Sequence, residues 1–225
     1  MTTHETDWRP LEEHEHESQL RALQSLLAPA PKRILDLGAG DGRIAEPLIR
    51  AGHTVLAIDS DPCAIDACAA RNIPARRADL LDPAANLAFE GAPADAAIML
   101  GHTFMLFDNP IEAARLMRRI HQALAPGAPL ILDNFPAELW RDVHEGAWTE
   151  GVSEAGDQQI LWREGENVFA LREGDDVDED DWTIRPTDCL HRLWSMGELA
   201  LLAMQSAFSG PRPDPSGLLL VFRTL

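Results

Sequence analysis

The sequence predicts an α/β fold, a doubly wound and mostly parallel sheet, on three observations. Apolar runs of strand length alternate with helix-length segments between residues 33 and 135. Three glycines, Gly38, Gly40 and Gly42, sit between the first such run and the helical pattern after it. Beyond about residue 150 the rhythm changes to short alternating runs, which predicts an antiparallel ribbon insertion before a closing helix and strand.

Residues 10–28 read as an N-terminal helix, with Pro10 at its first position, Glu12 and Glu13 in its first turn, and Leu20, Leu23 and Leu27 on one face. "RILDLG" (33–38) is a buried strand, followed by Ile44, Leu48 and Ile49 at helical spacing. "TVLAID" (54–59) is a second strand, and Asp61-Pro62 caps a helix that stops near Asn72. "IPARRAD" (73–79) is a weaker third strand and "ADAAIML" (94–100) a fourth. Asn109-Pro-Ile-Glu112 reads as a capping box, and Ile111, Ala114, Met117 and Ile120 form the stripe of its helix. "PLILDNF" (129–135) is the fifth strand. The ribbons are "QQILWRE" (158–164), "NVFALRE" (167–173) and "WTIRPTDCLHRLWS" (182–195). Ser195-Met-Gly-Glu198 is a second capping box, opening a helix through "ELALLAMQSAF", and "GLLLVFRTL" is the last strand.

A chain of 225 residues, 45% hydrophobic and 25% charged, suits a single globular domain with a sizeable core. Its 37 acids against 19 lysines and arginines give a net charge of −18, which repels phosphate backbones and anionic membranes. The tight basic pairs are Arg76-Arg77 and Arg118-Arg119. Cys63, Cys68 and Cys189 have no metal-ligand spacing, and an odd count after a polar, acidic N-terminus predicts free thiols in the cytoplasm. No apolar run reaches membrane-spanning length.

A strand, a glycine-rich turn and a helix gather backbone N–H groups and a helix N-terminus around a ligand at the carboxyl edge of a sheet. The dinucleotide fingerprint G-x-G-x-x-G needs a third glycine at position 43, where this chain has Arg43. An acid ending the second strand, Asp59, suits a ribose diol, because a carboxylate accepts two hydrogen bonds side by side. "ILDLGAGDG" (34–42), "VLAIDSDP" (55–62), "ARRADLLD" (75–82) and "ADAAIMLGHTFMLF" (94–107) together resemble the four motifs of class I (Rossmann-like) S-adenosylmethionine-dependent methyltransferases. The resemblance covers about residues 30 to 135 and implies S-adenosyl-L-methionine as cofactor. It implies that Asp36, Gly38, Ala39 and Gly40 surround the amino-acid end, that Asp59 and Ser60 serve the ribose, that Asp79 and Leu80 serve the adenine, and that Gly101 abuts the methyl group. Asp36 reads equally as a tie for the loop's own amides. The division that follows is an N-terminal helical lid (1–29), a cofactor-binding core (30–149), an antiparallel lid insertion (150–195), and a closing helix and strand (196–225).

His102, directly after Gly101, is the best-placed candidate base, although a locally hydrogen-bonded histidine is the alternative reading. Leu100-Gly101-His102-Thr103 departs from the Asn/Asp-Pro-Pro-aromatic tetrad of relatives that methylate amino groups of nucleobases or glutamine. With the charge, this points away from nucleic acid and toward a small-molecule acceptor, methylated on N or O. Asn134 and Asp133, ending the fifth strand, read as substrate contacts at the mouth or as turn formers, and Trp8 is a further candidate substrate contact. The tryptophans (Trp8, Trp140, Trp148, Trp162, Trp182 and Trp194) concentrate outside the sheet core, where substrate choice is expected. "DDVDEDD" (175–181) lacks a calcium-loop pattern and reads as a solvated loop. "SGPRPDPSG" (209–217) leaves little room for the sixth strand that the family pairs with its last. Two rival functions stand beside the main reading: a nicotinamide-dependent oxidoreductase, and a cofactor-binding protein without catalysis.

Overall fold

The computed structural model describes residues 13–133, 150–153 and 155–225; expectations that rest on Trp8, Pro10, Asn134, Trp140 and Trp148 lie outside them. Strands β1 (Arg33–Leu37), β2 (Thr54–Asp59), β3 (Ala75–Arg77), β4 (Ala96–Met99) and β5 (Pro129–Asp133) run parallel, with β1 paired to both β2 and β4. Their apolar runs are nearly continuous because helices cover both faces. Helices α1 (Glu13–Leu27), α2 (Ala45–Arg50) and α3 (Pro62–Ala70) supply one face, where Leu23, Leu27, Leu48 and Cys68 pack with Ile34 and Ile131. On the other face, α4 (Pro110–Ala123) and α5 (Met196–Gln205) bury Met117, Ile120, Leu199 and Leu202 against Leu35, Leu130 and Phe222. The C-terminal half of α1 is thus part of the core, and only its N-terminal half is left to cover anything.

The strand order is β10-β11-β5-β4-β1-β2-β3, seven strands in all, with β11 (Leu219–Arg223) antiparallel to β5. The sixth strand of the expected pattern is present as β10, only two residues long (Arg212–Pro213). Pro213 has no N–H to extend a ladder, and Asp214 turns the chain back by accepting from the N–H groups of Ser216 and Leu219.

Caps fall where the sequence puts them, with one difference. Asp61 caps α3 through Cys63 N–H, and Ser195 and Glu198 form the reciprocal box that opens α5. At α4, Asn109 caps alone, through Ile111 N–H, and no return bond from Glu112 closes a box. Trp194 is also not a surface residue: it is buried in the main core, 5.4 Å from Phe104, and its indole N–H donates to Phe104 O.

The insertion is a separate four-stranded antiparallel sheet, β6 (Gly151–Val152), β7 (Gln158–Trp162), β8 (Val168–Glu173) and β9 (Leu190–Arg192). The expected ribbon over 182–195 is reduced to β9, because the chain before it folds around a buried arginine. Arg172, 2% exposed, makes a bidentate pair with Asp188 at 3.0 and 2.9 Å and donates to the carbonyls of Asp181 and Thr183. Arg185 bonds Asp178 and Asp181, and the buried Gln159 amide bonds the backbone of Asp178 in both directions. The acidic run read as a solvated loop is therefore partly consumed as the wall of an ionic clasp, although Asp175, Asp176, Glu179 and Asp180 remain exposed. Arg172→Met takes the bidentate guanidinium from Asp188 and leaves its carboxylate with the Arg185 N–H alone. It should cost about 3–5 kcal/mol, the usual penalty for breaking a buried pair, measured by urea unfolding; a loss below about 1 kcal/mol would show that the clasp is ornamental.

Candidate functional site

A cavity of about 1130 Å³ opens at the carboxyl edge of the parallel sheet. Its walls come from the turns after β1, β2, β3 and β4, so it lies where open parallel sheets hold ligands. Asp36, Gly38, Ala39, Gly40, Asp59, Ser60, Asp79, Leu80 and Gly101, the whole expected cofactor set, line it together. Cys189, just before β9, also reaches the wall, so the insertion contributes to the enclosure.

The three glycines have different reasons to be glycine. A side chain on Gly38 would run into Thr103, and one on Gly42 into Ile73, each at 2.4 Å. Gly40, by contrast, would direct a Cβ into open space, in a left-handed conformation with φ +54°. Backbone at Gly40 is exposed to whatever fills the cavity. The turn is fixed by its neighbour strand: Gly38 and Ala39 N–H donate to Ile58 O, and Gly40 N–H donates to Asp59 Oδ2 at 2.8 Å. Asp59 Oδ1 accepts from Asp61 N–H at 3.0 Å. Each Asp59 oxygen thereby spends one acceptor site on backbone and keeps another for a ligand. Asp79 accepts from Leu81 N–H and is exposed at the rim, beside the buried Leu80.

Asp36 is fully enclosed, and its Oδ2 has no hydrogen-bond partner among the described residues. Burial, with a smaller contribution from Asp59, pushes its pKa up to about 7 against the pull of Arg43. An orphaned buried carboxylate at a cavity wall is suited to a cationic ligand group.

His102 lies between Gly101 and Thr103, both of which line the cavity. It adopts a left-handed conformation (φ +61°), and its backbone N–H donates to Asp133 Oδ2 at 2.7 Å. Asp133 reads from the sequence as a substrate contact at the mouth or a turn former. It is buried at the end of β5, and its other oxygen accepts from the side-chain amide of Gln19 on α1. Burial raises the Asp133 pKa, opposed by His102, Arg43 and Gln19. Arg43 stands out in the sequence only as a missing glycine. It is a half-buried cation on the cavity wall, bonded to His16 and to Gln19 Oε1. An arginine between the glycine turn and the helix that follows it, and an acid ending a fully buried strand, are the sequence signals for these two.

Residues 34–127 match the family model described as a methyltransferase domain. No curated protein matches the chain at a significant level. Among solved structures, a SAM-dependent methyltransferase from Methanosarcina mazei aligns with TM-score 0.64 at 18% identity, over 89% of this chain and 96% of that one. The SAM-bound amino pentose methyltransferase CalS10 from Micromonospora echinaspora aligns with TM-score 0.59 at 15% identity, over 94% and 91%. The sugar N-methyltransferase KedS8 from Streptoalloteichus aligns with TM-score 0.60 at 18% identity, over 97% and 88%. The fold is the Rossmann-like methyltransferase fold, with its reversed last strand β11 between β5 and β10. The chain shares this fold with S-adenosylmethionine-dependent methyltransferases, and the methyltransferase-domain match covers its glycine turn and the parallel strands around it, which counts against the nicotinamide reading.

In the unfolded chain Asp36 titrates near its ordinary value of 3.8, and in the folded, ligand-free protein near 7. Between those values the folded state binds more protons, so this group's contribution to stability falls as pH rises and is fully lost above about pH 7. Asp36→Asn should therefore stabilise the ligand-free protein by roughly 2–4 kcal/mol at pH 8 and leave it near wild type at pH 4. Urea midpoints at the two pH values measure this; an equal effect at both would sink it.

Proposed function

We propose that the chain methylates a nitrogen or oxygen of a small-molecule acceptor by direct displacement from S-adenosylmethionine. The size of the cavity carries this reading. At about 1130 Å³ it exceeds the roughly 300–1000 Å³ of ordinary single-ligand pockets, which leaves room for an acceptor beside the cofactor. Leu106 and Phe107 give part of that space an apolar wall.

The residues present fit the cofactor. Asp59 would accept from the ribose hydroxyls, Asp79 and Leu80 would meet the adenine, and Gly40 would let the ligand approach the backbone. Asp36 would take the ammonium of the amino-acid end. When bound, S-adenosylmethionine supplies a methyl group activated by its sulfonium. The chain's own contribution is to align the acceptor and exclude water, which supplies much of the rate in such displacements. An amine acceptor in its neutral form needs no protein base, and for a hydroxyl acceptor His102, between the cavity-lining Gly101 and Thr103, would be the candidate base.

Charge supports the small-molecule side. The net charge is −18, and three of the four arginines in the basic pairs are held by backbone: Arg76 and Arg119 donate to carbonyls around residues 80–88, and Arg77 donates to Ser60 O, while Arg118 is exposed. The amino pentose and sugar N-methyltransferase neighbours support an amine on a sugar-like acceptor as the first class to try. Cys63, Cys68 and Cys189 are free thiols, which supports a reducing, cytoplasmic setting, and no helix among the described residues is long and apolar enough to cross a membrane.

A screen of amino sugars, phenols and RNA with labelled methyl donor should give S-adenosylhomocysteine release with a small amine or hydroxyl compound alone; methylation of RNA would overturn the reading. Asp59→Ala should weaken S-adenosylhomocysteine by about 1.5–3 kcal/mol, the worth of hydrogen bonds to a charged acceptor. Calorimetry checks this, and a loss under about 0.5 kcal/mol would leave Asp59 as a tie for the turn alone.

A further inference from the structure

Arg43 is placed for more than holding α1. A guanidinium carries five N–H groups, and in Arg43 the recorded bonds are one from Nη1 to His16 Nδ1 and one from Nη2 to Gln19 Oε1. Both partners are neutral. Among the described residues no carboxylate forms an ion pair with it, although Asp133, Asp36 and Asp41 all act on it electrostatically. The remaining donors belong to a cation that lines the cavity and whose Nη2 lies 3.8 Å from where a Gly101 side chain would begin. Asp36, which keeps a buried oxygen without a hydrogen-bond partner, belongs to the wall of the same cavity. One buried acid without a partner and one cation with donors to spare are complementary to an amino acid's two charges. We propose that Arg43 binds the carboxylate of the cofactor's methionine end, and that Gln19 and Asp133 are the positioning residues that hold it there. The inference rests on the cofactor site proposed above.

The positioning chain has a fixed polarity. Arginine only donates, so Gln19 must turn its oxygen to Arg43 and its amide NH₂ to Asp133. Asp133 closes the chain because it accepts on both sides, from Gln19 and from His102 N–H. Asp133→Asn breaks this: its new NH₂ meets the NH₂ of Gln19, and a flipped Gln19 would set a donor against Arg43. Adding Gln19→Glu restores the pattern, since a carboxylate at position 19 accepts from both Arg43 and the new amide.

The experiment is calorimetric binding of S-adenosylhomocysteine and of methylthioadenosine, which lacks the amino-acid end, to the full chain and its variants. Wild type should prefer S-adenosylhomocysteine. Arg43→Gln should lose about tenfold or more of that affinity, as for a charged hydrogen bond, and leave methylthioadenosine within about twofold. Asp133→Asn should lose part of the same preference, and the Gln19→Glu/Asp133→Asn double variant should regain most of it. Retained methylthioadenosine binding certifies the fold in each case. Equal losses on both ligands, an unchanged preference in Arg43→Gln, or no regain in the double variant would overturn the proposal. Wild type that binds neither ligand would instead remove the cofactor site itself, and this inference with it.

Discussion

Carboxylates crowd the edge at which the parallel strands end, and the site is organised by how that charge is held. Asp36, Asp59 and Asp133 come from β1, β2 and β5, and each is held differently. Asp59 takes backbone N–H groups from the glycine turn and from the next helix start, so its charge ties β2 to the turn after β1. Asp133 takes the N–H of His102 and the amide of Gln19, so it ties β5 to the turn after β4 and to α1. Asp36 keeps an oxygen without a partner, and burial shifts its titration toward neutrality. Arg43 is the cation common to Asp36 and Asp133. Charge that cannot leave must be paired, neutralised or offered to a ligand, and this edge does all three.

The same crowding explains the glycine turn. Gly38 and Gly42 are small because Thr103 and Ile73 press on them, which brings the turns after β1 and β4 and the end of α3 into contact. Gly40 faces outward into the cavity and is held by Asp59. Packing fixes the two flanking positions, and this leaves the middle one rigid with nothing beside it. Such a backbone is ready for a ligand without further ordering, which lowers the cost of binding.

The insertion follows a different logic from the core. Its Phe169 and Leu193 form a small apolar cluster with Met105 of the turn after β4, and Arg172 and Gln159 gather the acidic segment around them. Trp194 and the capping box at Ser195 then lock its end into the main core beside α5. A wall built on one buried arginine is rigid where it meets the cavity, at Cys189, and exposed at its acidic tip.

Local pattern was enough for the alternation of strands and helices, the caps at Asp61 and Ser195 and the glycine turn, while the set of residues expected around the cofactor came from the resemblance of four motifs to a known family. Periodicity, capping and turn chemistry act over a few residues, and a parallel sheet places its strand ends together without further information. The charge partners needed the folded chain. Arg43 and Gln19 are 24 residues apart, Gln19 and Asp133 are 114, and His102 and Asp133 are 31. A charged residue's partner at such distances is invisible to local pattern, so Asp133 reads as a substrate contact or turn former, Arg43 as a missing glycine and the acidic run as solvent-facing. The same holds for Trp194, whose burial depends on Phe104, 90 residues earlier. Local chemistry chose the elements; which charges met, and so which were left to meet a ligand, was chosen only when the chain closed on itself.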